Sequence, residues 1–255
     1  MGRFVNPDNS AFQVALNSRI YVDKTGLIEY TNSVLNTTNA YICNSRPRRF
    51  GKSYAANMLA AYYSKGADSE KMFSELEIGK NEDFKKHLNK YDVIHIDIQW
   101  FLANCDDVDN VVKHIAEAVL DELRVAYPAF CHQKYLVCLM HFQESKTRQD
   151  RSSLSSLMNG MCLFVMRQLI KKHRKITSYK KEKTQSALNN FDEFPMLSAG
   201  NLAPYVGFTE EEVQKLAEEY HQDFNEVKRW YDGYLLKDYQ VYNQSSCQCN
   251  AARGV

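Results

Sequence analysis

The stretch from residue 40 to residue 66 restricts the fold of this chain more than any other. It opens with a short apolar run, Ala40–Cys43, that has the length and composition of a β-strand. A loop rich in Arg, Pro and Gly follows directly. From Lys52 to Tyr63 apolar residues recur at helical spacing, and Lys65-Gly66 supplies a stop. The order strand, loop, helix predicts one unit of an α/β fold.

The loop between that strand and that helix carries most of a phosphate-binding motif. The pattern Gly-x-x-x-x-Gly-Lys-Ser/Thr is met at Gly51, Lys52 and Ser53, while Arg46 stands where the first glycine belongs. A glycine at 51 lets backbone N–H groups approach phosphate oxygens, and the helix that follows directs its positive dipole end at the same anion. Lys52 would place a charge on the β- and γ-phosphates, and the Ser53 hydroxyl would bind Mg²⁺.

Further signals extend the α/β pattern along the chain. Residues 92–98 form a second apolar run of strand length, and residues 108–127 form a long amphipathic helix that ends before Pro128. Thr209, followed by three glutamates, predicts the capped start of a helix, and residues 224–230 predict another. Strands that alternate with helices predict a layered domain with a parallel sheet.

Composition bounds the class of protein. The chain has 255 residues, is 44% hydrophobic and 25% charged, and carries a net charge of +1, so no global field favours nucleic acid or anionic lipid. It has no apolar run long enough to span a membrane and no signal-peptide hydrophobic region at its start. Seven scattered cysteines indicate reduced thiols, and Cys247 and Cys249 lack partners for a zinc site. A cytoplasmic location without membrane contact is expected.

Four segments of the chain carry a resemblance to a known family. They are Tyr21–Thr25, Ser45–Ser53, Ser186–Phe191 and Trp230–Tyr234, and together they resemble the predicted AAA-ATPase-like family of bacterial P-loop proteins. The resemblance covers residues 1 to about 130 and 184 to about 243. In this family the loop commonly carries Arg in place of the first glycine. The resemblance implies an ATP-binding domain, which longer relatives often join to a PD-(D/E)XK nuclease-like domain that is not found within these residues.

The resemblance implies a fold and a site. The expected fold is a P-loop NTPase-like parallel sheet flanked by helices, incomplete in its central part and followed by a small helical segment. The loop is expected to hold ATP and Mg²⁺, with Ser53 on the metal; the predicted cofactor-binding residues are Arg46, Pro47, Arg48, Arg49, Phe50, Gly51, Lys52 and Ser53. The alternative for the three arginines is a solvated basic turn.

One part of an ATPase is missing from the sequence. Hydrolysis needs a Walker B acid at the end of an apolar strand to hold Mg²⁺, and the family's version reads approximately Ile-Asp-Glu-Trp/Tyr-Asp. No such run occurs in the chain, and Asp97, the nearest substitute, is more often a capping or structural residue in such a position. We therefore expect ATP binding that is at most weak, and negligible hydrolysis. No catalytic residue is assigned.

The genetic code offers an explanation for this gap. Residues 156–161 can be encoded as TCA TTG ATG AAT GGG ATG, and reading from the third base gives Ile-Asp-Glu-Trp-Asp. The glutamate codon arises from Met158 and Asn159 without any choice of codon. The hypothesis divides the chain into a P-loop part (1–130), an aberrant, frame-shifted Walker B region (131–183), a family-like helical part (184–243) and an aberrant tail (244–255). A divergent but genuine central segment is the alternative.

Two other function classes stay open at this point. The chain is an ATP-binding protein, a non-catalytic module that docks an unknown protein partner, or the degraded remnant of a longer ATPase or nuclease-like protein. The basic run Lys171–Lys175 lacks the interleaved aromatics that stack bases, so nucleic acid is not expected. His95 fits a core histidine, and the aromatics of Trp230–Tyr234 fit packing at a helix end. Asn189 and Asn190 match the family's motif, and the sequence leaves open whether they contact nucleotide or turn the chain.

Overall fold

A computed structural model gives the fold of the chain. It describes residues 1–40, 42–44, 49–104, 111–128, 161–164, 192–194, 200–230, 233–236 and 239–243. The predicted aberrant segment 131–183 therefore lies outside the described residues except for 161–164, and the tail 244–255 lies outside them entirely. Within the described ranges, no helix combines the length and the apolar character needed to cross a membrane.

Helices and strands follow each other in a mixed α/β order. The helices are α1 (Ser10–Leu16), α2 (Gly26–Val34), α3 (Lys52–Tyr63), α4 (Glu70–Ser74), α5 (Phe84–His87), α6 (Ile98–Asn104), α7 (Val111–Ala126), α8 (Glu210–Glu219) and α9 (Phe224–Trp230). The strands are β1 (Ile42–Asn44), β2 (Asp92–His95), β3 (Met161–Phe164), β4 (Asp192–Phe194), β5 (Phe208–Thr209), β6 (Tyr234–Leu236) and β7 (Tyr239–Tyr242). Single 3₁₀ turns lie at Thr38–Ala40, Glu77–Lys80 and Ala203–Tyr205.

Several elements match their sequence signals. The bounds predicted for α3 and α9 are confirmed, and α8 begins with the predicted capping box, in which Thr209 and Glu212 exchange side-chain to backbone hydrogen bonds. The second apolar run is shorter than predicted, because β2 ends at His95 and the chain turns into α6 at Ile98. The Asp97 carboxylate stabilises that turn by accepting the N–H of Gln99 at 2.9 Å.

The strands form two parallel pairs and one antiparallel sheet. β1 pairs with β4, with Ile42 opposite Asp192, and β2 pairs with β3, with Asp92 opposite Met161. The antiparallel sheet has the order β5-β7-β6. The expected small helical segment at the end of the domain is therefore only partly correct. Helices α8 and α9 are present, but strand β5 precedes them and strands β6 and β7 follow them. Among the described residues, the parallel strands form two separate pairs, β1 with β4 and β2 with β3.

The chain divides into two compact units. The first comprises residues 1–9, 60–70 and 85–178. Its N-terminal arm lies antiparallel to β2, with Val5 opposite Ile94. The Glu122 carboxylate of α7 accepts three consecutive backbone N–H groups of this arm, from Arg3, Phe4 and Val5, at 2.9, 2.7 and 2.8 Å. One buried cluster of this unit consists of Phe4, Val5, Ile94, Ile98, Phe101, Val111, Ile115 and Val119.

The second unit comprises residues 10–59, 71–84 and 179–255. Phe12 of α1 stacks on Phe73, with ring centroids 5.1 Å apart. A second group of apolar residues surrounds Phe50, and a third surrounds Phe208 of β5. The loop that carries the phosphate-binding motif belongs to this unit, so its conformation is described from the residues of this unit alone.

Candidate functional site: the loop before α3

The described part of the loop begins at residue 49. Arg46, Pro47 and Arg48, which are predicted to bind the cofactor, lie outside the described residues, and so do Asn189 and Asn190. The remaining predicted residues occupy the last turn of the loop and the start of α3: Arg49, Phe50, Gly51, Lys52 and Ser53. Strand β1 ends at Asn44, so the order strand, loop, helix is present around the motif.

Gly51 joins the loop to α3. Its φ of +77° lies in the left-handed region, which glycine adopts without steric cost. Its carbonyl accepts the N–H of Ala55 at 2.9 Å, the first hydrogen bond of the helix. The N–H groups of Lys52, Ser53 and Tyr54 therefore precede the first intrahelical bond and lie at the positive end of the helix dipole. Lys52 is half-buried, and Ser53 is exposed.

Arg49 also adopts a left-handed backbone conformation. Its φ is +72°, which is uncommon for a residue with a Cβ atom. Arg49 is exposed, and the next side chain, Phe50, is fully buried. Two left-handed residues thus flank one buried ring.

Phe50 packs against the far part of the sequence. It forms a buried cluster with Ala203, Val206 and Val241. Tyr234 of β6 meets its ring edge-on, with centroids 5.1 Å apart. The Phe50 side chain therefore contacts the protein core, and its predicted contribution to cofactor binding stays a prediction that concerns its backbone.

Gly207 makes room for the Phe50 ring. A Cβ atom at position 207 would lie 2.9 Å from Cδ1 of Phe50 and 3.2 Å from the carbonyl oxygen of Tyr242. The φ of Gly207 is +102°, a conformation open to glycine but strained for other residues. Sequence reasoning did not single out this glycine; the only available signal was a glycine just before the Phe-Thr pair that opens the capped helix α8.

The segment Tyr21–Thr25, one of those carrying the family resemblance, is used for local structure. Asp23 accepts the N–H and the hydroxyl of Thr25 at 2.8 and 2.7 Å, and its other oxygen accepts the N–H of Glu77 at 2.7 Å. The Thr25 hydroxyl in turn accepts the N–H of Ile78 at 3.2 Å. The Asp23 side chain therefore fixes Thr25, the N-cap residue of α2.

Lys24 forms an ion pair inside the second unit. Its Nζ donates to both carboxylate oxygens of Glu212 at 2.6 and 2.5 Å and to the carbonyl of Pro204 at 2.6 Å. Burial lowers the pKa of Lys24, and the Glu212 carboxylate opposes that shift. Since all three contacts are intramolecular, Lys24 serves to hold α2 and α8 together.

A small cavity lies behind the loop. Its volume is about 30 Å³, room for one water molecule. The lining includes Tyr21, Lys24, Gly51 and Tyr54. The Tyr21 hydroxyl is buried without a hydrogen-bond partner in the described part of the chain, and burial raises the pKa of this phenol.

His95 is the last residue of β2, and Asp97 precedes the first residue of α6. The Asp97 carboxylate caps α6, as described above, and burial lowers the pKa of His95, which favours its neutral form in the first unit. Among the residues that the structure describes, no three His, Cys, Asp or Glu side chains are grouped to hold a metal ion. Both residues therefore fit the structural roles expected of them.

Comparison with known proteins yields one match. Residues 10–130 match the model of a family described as predicted AAA-ATPase. This segment contains β1, the loop and helices α1 to α7. No curated protein and no solved structure matches the chain.

Proposed function

We propose that the chain, whose residues 10–130 match the model of the predicted AAA-ATPase family, binds ATP through the loop that ends at Ser53. The backbone of this loop holds the triphosphate, Lys52 pairs with its β- and γ-oxygens, and Arg46, Pro47, Arg48 and Arg49 complete the loop. The proposed location is the cytoplasm, which the scattered cysteines support. The proposed core is a P-loop-type parallel sheet to which β1 contributes.

The observation that carries this proposal is the backbone at Gly51. A left-handed glycine stands immediately before Lys52, and Lys52 and Ser53 are the first two residues of α3. This arrangement places N–H groups that precede the first intrahelical hydrogen bond, a lysine and a hydroxyl at one helix start, which is the combination that phosphate-binding loops require. A solvated basic turn would require none of these features.

Ser53 is the residue that fits Mg²⁺. It is exposed at the start of α3, so its hydroxyl is free of the core and adjacent to the position proposed for the phosphates. Bound Mg²⁺ would neutralise charge on the β- and γ-oxygens. The chain's own contribution is one hydroxyl ligand and the lysine beside it.

We propose that turnover is negligible. The sequence has no Ile-Asp-Glu run to supply the Walker B acids, and Asp97 is used to cap α6. Without an acid to hold the metal and an oriented water, the loop would bind nucleotide and leave the γ-phosphate in place.

Equilibrium binding of labelled ATP tests the proposal. We expect Lys52→Ala to weaken binding at least tenfold, because a hydrogen bond to a charged group is worth about 1.5–3 kcal/mol. Lys71→Ala, which removes an exposed lysine on α4, should leave the affinity unchanged. Ser53→Ala should weaken binding only in the presence of Mg²⁺. Equal, unmeasurable affinity of wild type and Lys52→Ala would overturn the proposal and favour a protein-interaction module.

We further propose that residues 131–183 and 244–255 are translated out of frame. Support comes from the Ile-Asp-Glu-Trp-Asp string that appears when codons for residues 156–161 are read in another phase. The sequence of the encoding DNA decides the matter. We expect GATGAATGG within those codons; any other sequence there overturns the frame shift and leaves a genuine, divergent segment.

A further inference from the structure

The phosphate-binding loop of the second unit is held in place from a distant part of the sequence. Phe50 is fully buried among Ala203, Val206 and Val241, more than 150 residues further along the chain. We infer that Phe50 is a positioning residue, which fixes the left-handed backbone at Arg49 and Gly51 by inserting its ring beside the sheet β5-β7-β6. This inference rests on the proposed function for its consequence in ATP binding, but not for its structural content.

Neighbouring residues hold the Phe50 ring in one position. Gly207 lies directly against it, since a Cβ atom there would come within 2.9 Å of Cδ1. Tyr234 closes another side, edge-on at 5.1 Å between centroids. The side chains of Val206 and Val241 fill the space that remains. With neighbours on several sides, the ring cannot shift far without breaking close packing, so its own backbone is restricted as well.

The packing of the Phe50 ring also restricts Gly51 and the start of α3, the backbone that is proposed to bind phosphate. Phe50 precedes Gly51, whose carbonyl starts α3 through its bond with Ala55 at 2.9 Å. A left-handed residue stands on each side of Phe50, at φ values of +72° and +77°. Such a backbone is not favoured locally at Arg49 and persists only when the surroundings impose it. The buried ring is the part of the described loop that provides this constraint.

The residues involved extend beyond the part of the chain that matches the family. The match ends at residue 130, whereas Ala203, Val206, Gly207, Tyr234 and Val241 all lie after residue 200. The loop therefore depends on residues 203–241 for its conformation. This dependence assigns a role to Gly207 and Tyr234 that their sequence context did not indicate.

Limited proteolysis of the full chain, carried out in the absence of nucleotide, tests whether packing of the Phe50 ring holds the loop in place. Trypsin can cut the Arg49–Phe50 bond only when Phe50 leaves its pocket. We expect Phe50→Ala to raise the rate of that cleavage at least tenfold over wild type, and Phe50→Leu to restore most of the protection. The matched control is Phe73→Ala, which removes an equally buried ring of the same unit outside the loop cluster and should leave this bond protected.

Binding measurements on the same variants test the consequence. The probes are ATP and inorganic tripolyphosphate, at a temperature where circular dichroism shows each variant folded. If the competent loop conformation is populated one time in ten, both dissociation constants rise tenfold. We expect this for Phe50→Ala, recovery with Phe50→Leu, and no change for Phe73→Ala. Should Phe50→Ala not fold, Gly207→Ala, which crowds the ring from outside, replaces it in both assays.

The outcomes separate the two proposals. Faster cleavage in Phe50→Ala together with no ATP binding by wild type would support the positioning role of Phe50 and overturn the proposed ATP site. If ATP binding depends on Lys52 but folded Phe50→Ala shows unchanged cleavage and unchanged affinity, the positioning role of Phe50 is overturned and the proposed ATP site is kept. Equal effects of Phe50→Ala and Phe73→Ala on cleavage and on affinity would also overturn the positioning role of Phe50, because general destabilisation would then explain both.

Discussion

Replacing Glu212 by Gln isolates the ion pair with Lys24. Gln is nearly isosteric and also serves at the third position of a capping box, so the start of α8 keeps its cap. The substitution removes the negative charge that lies 2.5 Å from Lys24 Nζ. The two side chains are 15% and 23% exposed, so water replaces little of what is lost.

The expected cost follows from this burial. Breaking a fully buried ion pair from one side costs about 3–5 kcal/mol, because the remaining charge is left uncompensated. Lys24 keeps the Pro204 carbonyl as an acceptor, and part of the pair reaches solvent. We therefore expect Glu212→Gln to lower the free energy of unfolding by about 2 kcal/mol at pH 7.

The loss should shrink as the pH rises. Burial already lowers the pKa of Lys24 against the opposing effect of Glu212, and removing that carboxylate lowers it further. Between the lowered folded pKa and the ordinary value of 10.5, the unfolded chain binds more protons than the folded one. Stability therefore rises with pH across that interval, and it rises more steeply in Glu212→Gln than in wild type.

Urea unfolding followed by circular dichroism from pH 7 to pH 10 measures both effects. The control is Thr209→Ala, which removes a cap worth about 1 kcal/mol without touching the charge and should show no added alkaline dependence. A loss of less than about 1 kcal/mol, the range for exposed pairs, together with no recovery at alkaline pH, would refute the reasoning.

Three further substitutions test other features of the fold. Gly51→Ala should lower the free energy of unfolding by about 1–2 kcal/mol in thermal or urea melts, because φ is +77° there; an unchanged melt would contradict that backbone. Asp92→Asn should flatten the acid limb of the stability curve. Burial works to raise the pKa of Asp92, but hydrogen bonds from Lys65 and Tyr127 outweigh it and lower the pKa, so this stability is present above 3.8 and is lost as the pH falls through the lower folded value. Tyr21→Phe should raise the free energy of unfolding by about 1 kcal/mol, because it removes a buried hydroxyl that lacks a partner; destabilisation would show that the hydroxyl is hydrogen-bonded.

The parts of the fold that sequence predicts are those with local signals. Helix α3 follows from apolar spacing between a glycine and a Lys-Gly stop, and α8 follows from a threonine with a glutamate three residues later. The loop motif likewise depends on adjacent residues, Gly51 to Ser53. Each of these signals lies within about one helical turn of the structure that it determines.

What the sequence leaves open depends on residues that are distant along the chain. Lys24 and Glu212 are 188 positions apart, and no periodicity connects them. The burial of Phe50 depends on Gly207, whose importance comes from a contact that only the folded chain makes. The antiparallel sheet takes the place of part of the expected helical segment. It is not predicted because its strands, which are two to four residues long, give too little alternation to be recognised.

The capture of the N-terminal arm by Glu122 has a consequence for synthesis. The three N–H groups that this carboxylate accepts are 117 to 119 positions away from it, so their partner is translated long after them. At about 5–20 residues per second, a ribosome needs on the order of ten seconds to reach it. During that time the arm has no Glu122 carboxylate to accept its N–H groups, and we expect it to be accessible to chaperones that bind nascent chains.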